Sequence, residues 1–155
     1  MVSRYLRKNI AAIAGYIPGE QPQNSGFIKL NTNENPYPPS PRVLSALRKA
    51  ADRSLRLYPE PLSDSLRNLA AARYGLRTEN ILAGNGSDEL LAILVRCFVG
   101  RGDRVVYPAP TYTLYDTLIA IQEGERVEIN YPPDFSLPEA LYAEKAALAF
   151  LCNPN

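Results

Sequence analysis

The chain has 155 residues, 17 basic against 16 acidic side chains and a formal charge of +1. Its 46% hydrophobic and 21% charged content is globular, excludes a disordered tail and offers no electrostatic reason to expect nucleic acid or an anionic membrane as partner. No apolar run approaches the ~20 residues of a membrane helix, and MVSRYLRKNI carries no secretory signal, so a cytoplasmic protein is expected.

Leu6, Ile10, Ile13 and Ala14 share one helical face after Ser3, a plausible N-cap, and this first helix breaks at Gly15. YIPGEQP then reads as extended chain, FIKLN as a short strand, and NTNENPYPPSP as neither helix nor central strand. Proline is in excess, 14 residues, eight of them between Pro18 and Pro61. Residues 1–40 are therefore expected as a helix and a Pro-rich arm laid over another surface, and 41–155 as the domain proper.

From Ser40 the pattern becomes regular. Ser40 as N-cap and Pro41 at the first position open a helix with Val43, Leu44, Leu47 and Ala51 on one stripe. After LRLYPEP, a second helix carries Leu62, Leu66, Leu69, Ala70 and Tyr74 and is stopped by Gly75. The run Ile81-Leu82-Ala83 reads as a strand before GNGSDE. A third helix follows with Leu90, Leu91, Leu94, Val95 and Phe98 inward, closed by Gly100. Beyond it RVVYPAP is a strand, TYTLYDTLIAIQ a helix ending before Gly124, and ERVEINY a strand. Ser136 and Glu139 have capping-box spacing for a short helix, and AALAFLC is a last buried strand. Strands alternating with helices give an α/β fold, a mostly parallel sheet with helices on both faces.

The absence of histidine removes imidazole bases, Ser-His-Asp triads and His-based metal sites. Cys97 and Cys152 match no zinc or CxxC spacing and read as buried free thiols, so no metal site is expected. Four segments could carry chemistry. The backbone N–H groups around Gly86, Ser87 and Asp88, at a helix start, suit a phosphate; the alternative is an ordinary helix capped by Ser87, its dipole offset by Asp88 and Glu89. Tyr112, in PTYTLY after a strand, could offer its face to a planar ring, or could pack inward with Tyr115 while Thr111 caps the helix. Tyr58 sits in the stiff link LYPEP, where it could present its hydroxyl to a neighbour or be merely half-buried. The fourth segment is Asn153-Pro154-Asn155, where a binding loop of an open α/β sheet would begin.

Together YIPGEQP, IKLNTNENPYPPSP, LRLYPEP, NILAGNGSDELL, DRVVYPAPTYTLY and FLCNPN resemble, in order, the class I/II pyridoxal-phosphate aminotransferases, most closely the histidinol-phosphate aminotransferase branch. The resemblance implies pyridoxal 5'-phosphate as cofactor. Its phosphate would sit at the amides around Gly86, Ser87 and Asp88, with Tyr112 stacked on its ring and Asn155 bonded to the ring oxygen. It further implies a homodimer in which Tyr58 reaches the phosphate of the other subunit, and an arm bearing Tyr16, Asn33 and Glu34 that closes over substrate. Histidinol phosphate and the L-glutamate/2-oxoglutarate pair are the implied substrates, within histidine biosynthesis.

The resemblance covers only the N-terminal part of such an enzyme. The lysine that the family bonds to the cofactor matches none of Lys8, Lys29, Lys49 and Lys145, so it is expected beyond Asn155 and the 155-residue chain is expected to be inactive alone. An isolated fragment should also expose apolar sheet edge and be poorly soluble. Two other readings remain open: a sister enzyme acting on aromatic amino acids or decarboxylating an amino-acid phosphate, and a non-catalytic α/β module for a phosphorylated ligand.

Overall fold

The computed structural model describes residues 4–13, 28 and 34–155. The chain gathers into two compact units, one of Met1–Tyr16 with Gly84–Asn155, the other of Ile17–Ala83. Of the possible strand FIKLN only Ile28 is described, and it is exposed; the Ser3 cap, Tyr16 and Asn33 lie outside the described residues.

The first unit is built on a three-stranded parallel sheet of order β2-β1-β3, from β1 (Arg104–Ala109), β2 (Glu125–Asn130) and β3 (Leu148–Ala149). Strand β1 is central. Val105, Val106, Tyr107 and Pro108 are all buried, as a strand covered on both faces requires. A central strand usually rejects proline, whose nitrogen donates nothing. Here Val106 directs its carbonyl to Phe150 N–H and Ala109 directs its own to Tyr131 N–H. Pro108, two residues from Val106, thus faces the β3 side beyond the last β1–β3 pair, Val106 with Ala149.

Helix α4 (Gly86–Phe98) packs Val95 into a core with Val99, Val105, Tyr107, Tyr115, Ile119 and Phe150. Helix α5 (Leu114–Ile121) contributes Tyr115 and Ile119, four residues apart on one face. Gly124 lets α5 return tightly into β2: a Cβ there would lie 2.9 Å from Val99 Cγ1 and 3.1 Å from Ile119 Cγ2. The short α1 (Lys8–Ala12) belongs to the same unit, where Asn9 Nδ2 donates to the carbonyls of Ala120 and Ile121 at the end of α5.

In the second unit, α2 (Pro41–Ala50) begins as expected, with Val43 N–H donating to Ser40 Oγ and Pro41 in the first turn. Helix α3 (Asp64–Tyr74) ends at Gly75 with φ of +66°. Their apolar stripes, including Leu47, Leu66 and Leu69, stay exposed within the chain. Arg67 holds the unit together: Nε donates to the Ile81 carbonyl at 2.8 Å, Nη2 to the Thr78 carbonyl at 2.9 Å, and Nη1 pairs with Asp64 at 2.9 Å.

Several expectations are corrected. Ile81–Ala83 is not a strand, because Arg67 rather than a neighbouring strand satisfies the Ile81 carbonyl. Arg7 stands at the N-cap of α1. Ser136 bonds Asp134 instead of closing a capping box, and Glu139 is itself the N-cap of α6 (Ala140–Ala143). Strand pairing in AALAFLC is limited to Leu148 and Ala149. Phe98 is exposed, since the buried side runs from Val95 in α4 to Val99 just past its end and leaves Phe98 off its edge. Cys97, on the same outer side, is exposed, and Cys152 is half-buried.

Candidate active site at the carboxyl end of β1

In a parallel sheet, loops leaving the carboxyl ends of the strands converge on one edge. Three segments meet there: the start of α4, the turn from β1 into α5, and the chain after β3. Gly86 takes a φ of +77°, a left-handed value that an L-residue resists, and a Cβ there would meet nothing within 4 Å. The conformation demands glycine while the space in front of it is open. Ser87 lies inside the first helical turn, with Asn85 at the N-cap, so the alternative in which Ser87 caps the helix is not realised. The backbone N–H groups of Ser87 and Asp88 have no partner among the described residues, the usual state of orphan donors in a first turn.

The two acidic side chains of that turn are both engaged. Glu89 Oε2 accepts from the Asn85 N–H behind the helix start. The Asp88 carboxylate accepts from the Tyr112 hydroxyl, with oxygens at 3.1 and 3.3 Å. That bond joins α4 to the β1–α5 turn.

Tyr112 is half-buried and stands edge-on to Tyr115, their rings 5.8 Å apart at 82°. Of the two tyrosines that the packing alternative turns inward, Tyr115 is buried and Tyr112 is only partly so. Thr111 does not cap α5; Thr113 precedes that helix and makes no side-chain cap bond. Instead Thr111 Oγ1 donates to Asn155 Oδ1 at 2.7 Å, and Asn155 Nδ2 donates to the Pro110 carbonyl at 3.0 Å. Asn155 is exposed, yet both ends of its amide are tied to the turn carrying Tyr112.

Beneath the site, Tyr107 donates its hydroxyl to Asp116, which is paired in turn with Arg126 at 3.2 Å. Burial, then this bond to a carboxylate, raises the Tyr107 phenol above its ordinary range. The Tyr115 phenol is raised as well, chiefly by burial and then by the neighbouring Cys152 thiol.

The structure thus brings together Gly86, Ser87, Asp88, Tyr112 and Asn155. It leaves Tyr58 in the other unit, wholly exposed, and Glu34 exposed. Sequence reasoning missed Thr111 and Pro110 as anchors of Asn155, and Tyr115 and Phe150 as the platform below Tyr112. A threonine one residue before a site tyrosine was the available signal, but it reads equally as a helix cap. Among the described residues no group of three or more His, Cys, Asp or Glu could hold a metal ion, and no helix is long and apolar enough to cross a membrane.

The sequence model of the family described as aminotransferase class I and II matches residues 25–155. The chain belongs to that family. It is 46% identical over 99% of its length to histidinol-phosphate aminotransferase 1 of Trichormus variabilis, of which it covers 45%. It likewise resembles the solved structure of histidinol-phosphate aminotransferase from Sinorhizobium meliloti in complex with pyridoxal-5'-phosphate. There the TM-score is 0.62 and identity 33%, over 66% of this chain and 28% of that one. L-threonine-O-3-phosphate decarboxylase from Porphyromonas gingivalis is also similar, with TM-score 0.53 and 25% identity over 60% of this chain and 29% of that one. The chain thus spans less than half the length of the curated relatives it matches.

Proposed function

We propose that this chain supplies the N-terminal part of a histidinol-phosphate:2-oxoglutarate aminotransferase that uses pyridoxal 5'-phosphate. The observation carrying the proposal is the convergence of Gly86–Asp88, Tyr112 and Asn155 on one edge of the sheet, in a chain of this family. The residues present fit such a cofactor. Two orphan amides beside an open, glycine-only position suit its phosphate, a half-buried tyrosine face suits its ring, and an exposed amide suits its ring oxygen.

When bound, the cofactor supplies an electron sink for amino-group transfer. This chain's residues would hold and orient it. The Ser87 and Asp88 amides and the α4 dipole attract the phosphate, while the bonds of Asp88 to Tyr112 and Glu89 to Asn85 keep both carboxylates occupied. Tyr112 would stack on the ring and Asn155 would donate an N–H to the ring oxygen. In the same proposal, residues 41–155 begin the cofactor-binding domain and 1–40 the arm, with Tyr16, Asn33 and Glu34 toward substrate. Tyr58, exposed in this chain, would serve the second subunit of a homodimer, and the protein would work in the cytoplasm. No residue of this chain is assigned the role of the cofactor-bonded lysine.

The test takes the complete product of the native gene, expected to exceed 17.2 kDa in intact mass. With pyridoxal 5'-phosphate it should show a visible absorption band and transfer the amino group of histidinol phosphate to 2-oxoglutarate. A product that does neither overturns the proposal. The likeness to L-threonine-O-3-phosphate decarboxylase favours one second reading, and faster turnover of threonine phosphate than of histidinol phosphate would establish it.

A further inference from the structure

We propose that Thr111 is a positioning residue for Asn155, an inference that rests on the cofactor-facing reading of Asn155 above. Two contacts fix the Asn155 side chain: its Oδ1 lies 2.7 Å from Thr111 Oγ1, and its Nδ2 lies 3.0 Å from the Pro110 carbonyl. Together they permit one orientation of the amide. The Pro110 carbonyl only accepts, so it must face the nitrogen; the Thr111 hydroxyl can donate, so it suits the oxygen. Turning the amide over would set two acceptors against each other at Pro110.

The amide nitrogen carries two hydrogens, and Pro110 takes one. The direction of the other is set by Thr111 and Pro110. Without them an exposed asparagine turns broadly about its last torsion. Thr111 is also the residue immediately before Tyr112, so the group that aims the amide and the ring proposed to stack on the cofactor share one turn. That turn is anchored below by Tyr115 and across by Asp88. The Thr111 hydroxyl has no competing use as a helix cap, because α5 begins after Thr113.

The experiment uses the complete polypeptide loaded with pyridoxal 5'-phosphate, unchanged and as Thr111→Val, Thr111→Ser, Asn155→Ala and the Val/Ala double variant. Two quantities are read: the cofactor dissociation constant, and the pH at which the bound cofactor's visible absorption changes. An N–H donated to the ring oxyanion stabilises the deprotonated state, so losing its alignment moves that change to higher pH. Thr111→Val is expected to weaken cofactor binding roughly 3- to 10-fold and to raise the transition. Thr111→Ser, which keeps the hydroxyl, should restore both. Asn155→Ala should raise the transition at least as far, and adding Thr111→Val to it should shift it no further.

If Asn155→Ala moves the transition and Thr111→Val does not, the role of Thr111 is overturned while that of Asn155 stands. The same holds if Val and Ser shift it equally. If Asn155→Ala leaves the transition in place, the underlying reading of Asn155 fails. Should valine disturb folding, Thr111→Ala removes the hydroxyl without that bulk and is judged by the same criteria.

Discussion

Tyr115 of α5 stacks on Phe150, the residue just after β3, with ring centroids 4.5 Å apart and 14° between the planes. Both are buried, and Tyr115 also meets Tyr107 and Tyr112 at 5.7 and 5.8 Å. One side chain therefore ties the central strand, the last strand and the turn that carries Tyr112. The candidate site stands on a packed aromatic layer, which limits how far its two loops can move apart.

Replacing Tyr115 by alanine should cost about 3–5 kcal/mol, the usual price of a large aromatic removed from a core. Tyr115→Phe keeps the stack and removes only the hydroxyl, so about 1 kcal/mol or less is expected. Urea denaturation midpoints of the two variants measure the difference. Equal losses would mean that the hydroxyl, not the stack, holds the site.

Gly86→Ala separates backbone strain from crowding. A Cβ at Gly86 meets no atom within 4 Å, so the cost comes from its φ of +77° alone. About 1–2 kcal/mol of destabilisation is expected. Cofactor affinity should fall as well if the following amides hold the phosphate. A substitution that leaves both melting temperature and affinity unchanged would contradict this account.

Arg67 binds two backbone carbonyls and a carboxylate with a side chain that is only 17% exposed. Lysine cannot reproduce that fork, so Arg67→Lys should destabilise the second unit by about 1–3 kcal/mol. Hydrogen exchange checks the location of the effect, with faster exchange expected around Thr78–Ile81 and little change in β1. Uniformly faster exchange would refute a local role.

Alkaline pH should unfold the protein through its buried phenols. Tyr107 and Tyr115 are both raised above the ordinary value of about 10. Between that value and their folded values the unfolded chain binds fewer protons than the native one, so stability falls as pH rises. Below about pH 10 these two groups take nothing from stability. Absorbance titration near 295 nm, followed beside circular dichroism, should show the last phenols ionising only as structure is lost. Complete titration at ordinary values in a folded protein would contradict the burial argument.

Much of this protein was legible before any tertiary structure. The Ser40–Pro41 start of α2, the Gly75 stop of α3 and the places of β1 and β2 follow from local steric and capping rules, which act over a few residues, whereas α5 begins three residues later than its pattern suggests. The ordered motifs likewise carried the family, now matched over residues 25–155. Long-range contacts decided the rest. Arg67, fourteen positions from Ile81 in sequence, took the carbonyl that a strand would have used. The exposure of Phe98 and Cys97 depended on where α4 meets the sheet, which periodicity alone leaves unspecified. The partner of the Thr111 hydroxyl lies 44 residues away at Asn155. Sequence determined which groups could donate, accept or turn; only the folded chain decided which of them met, because hydrogen bonds and ring stacking require approach within a few ångströms.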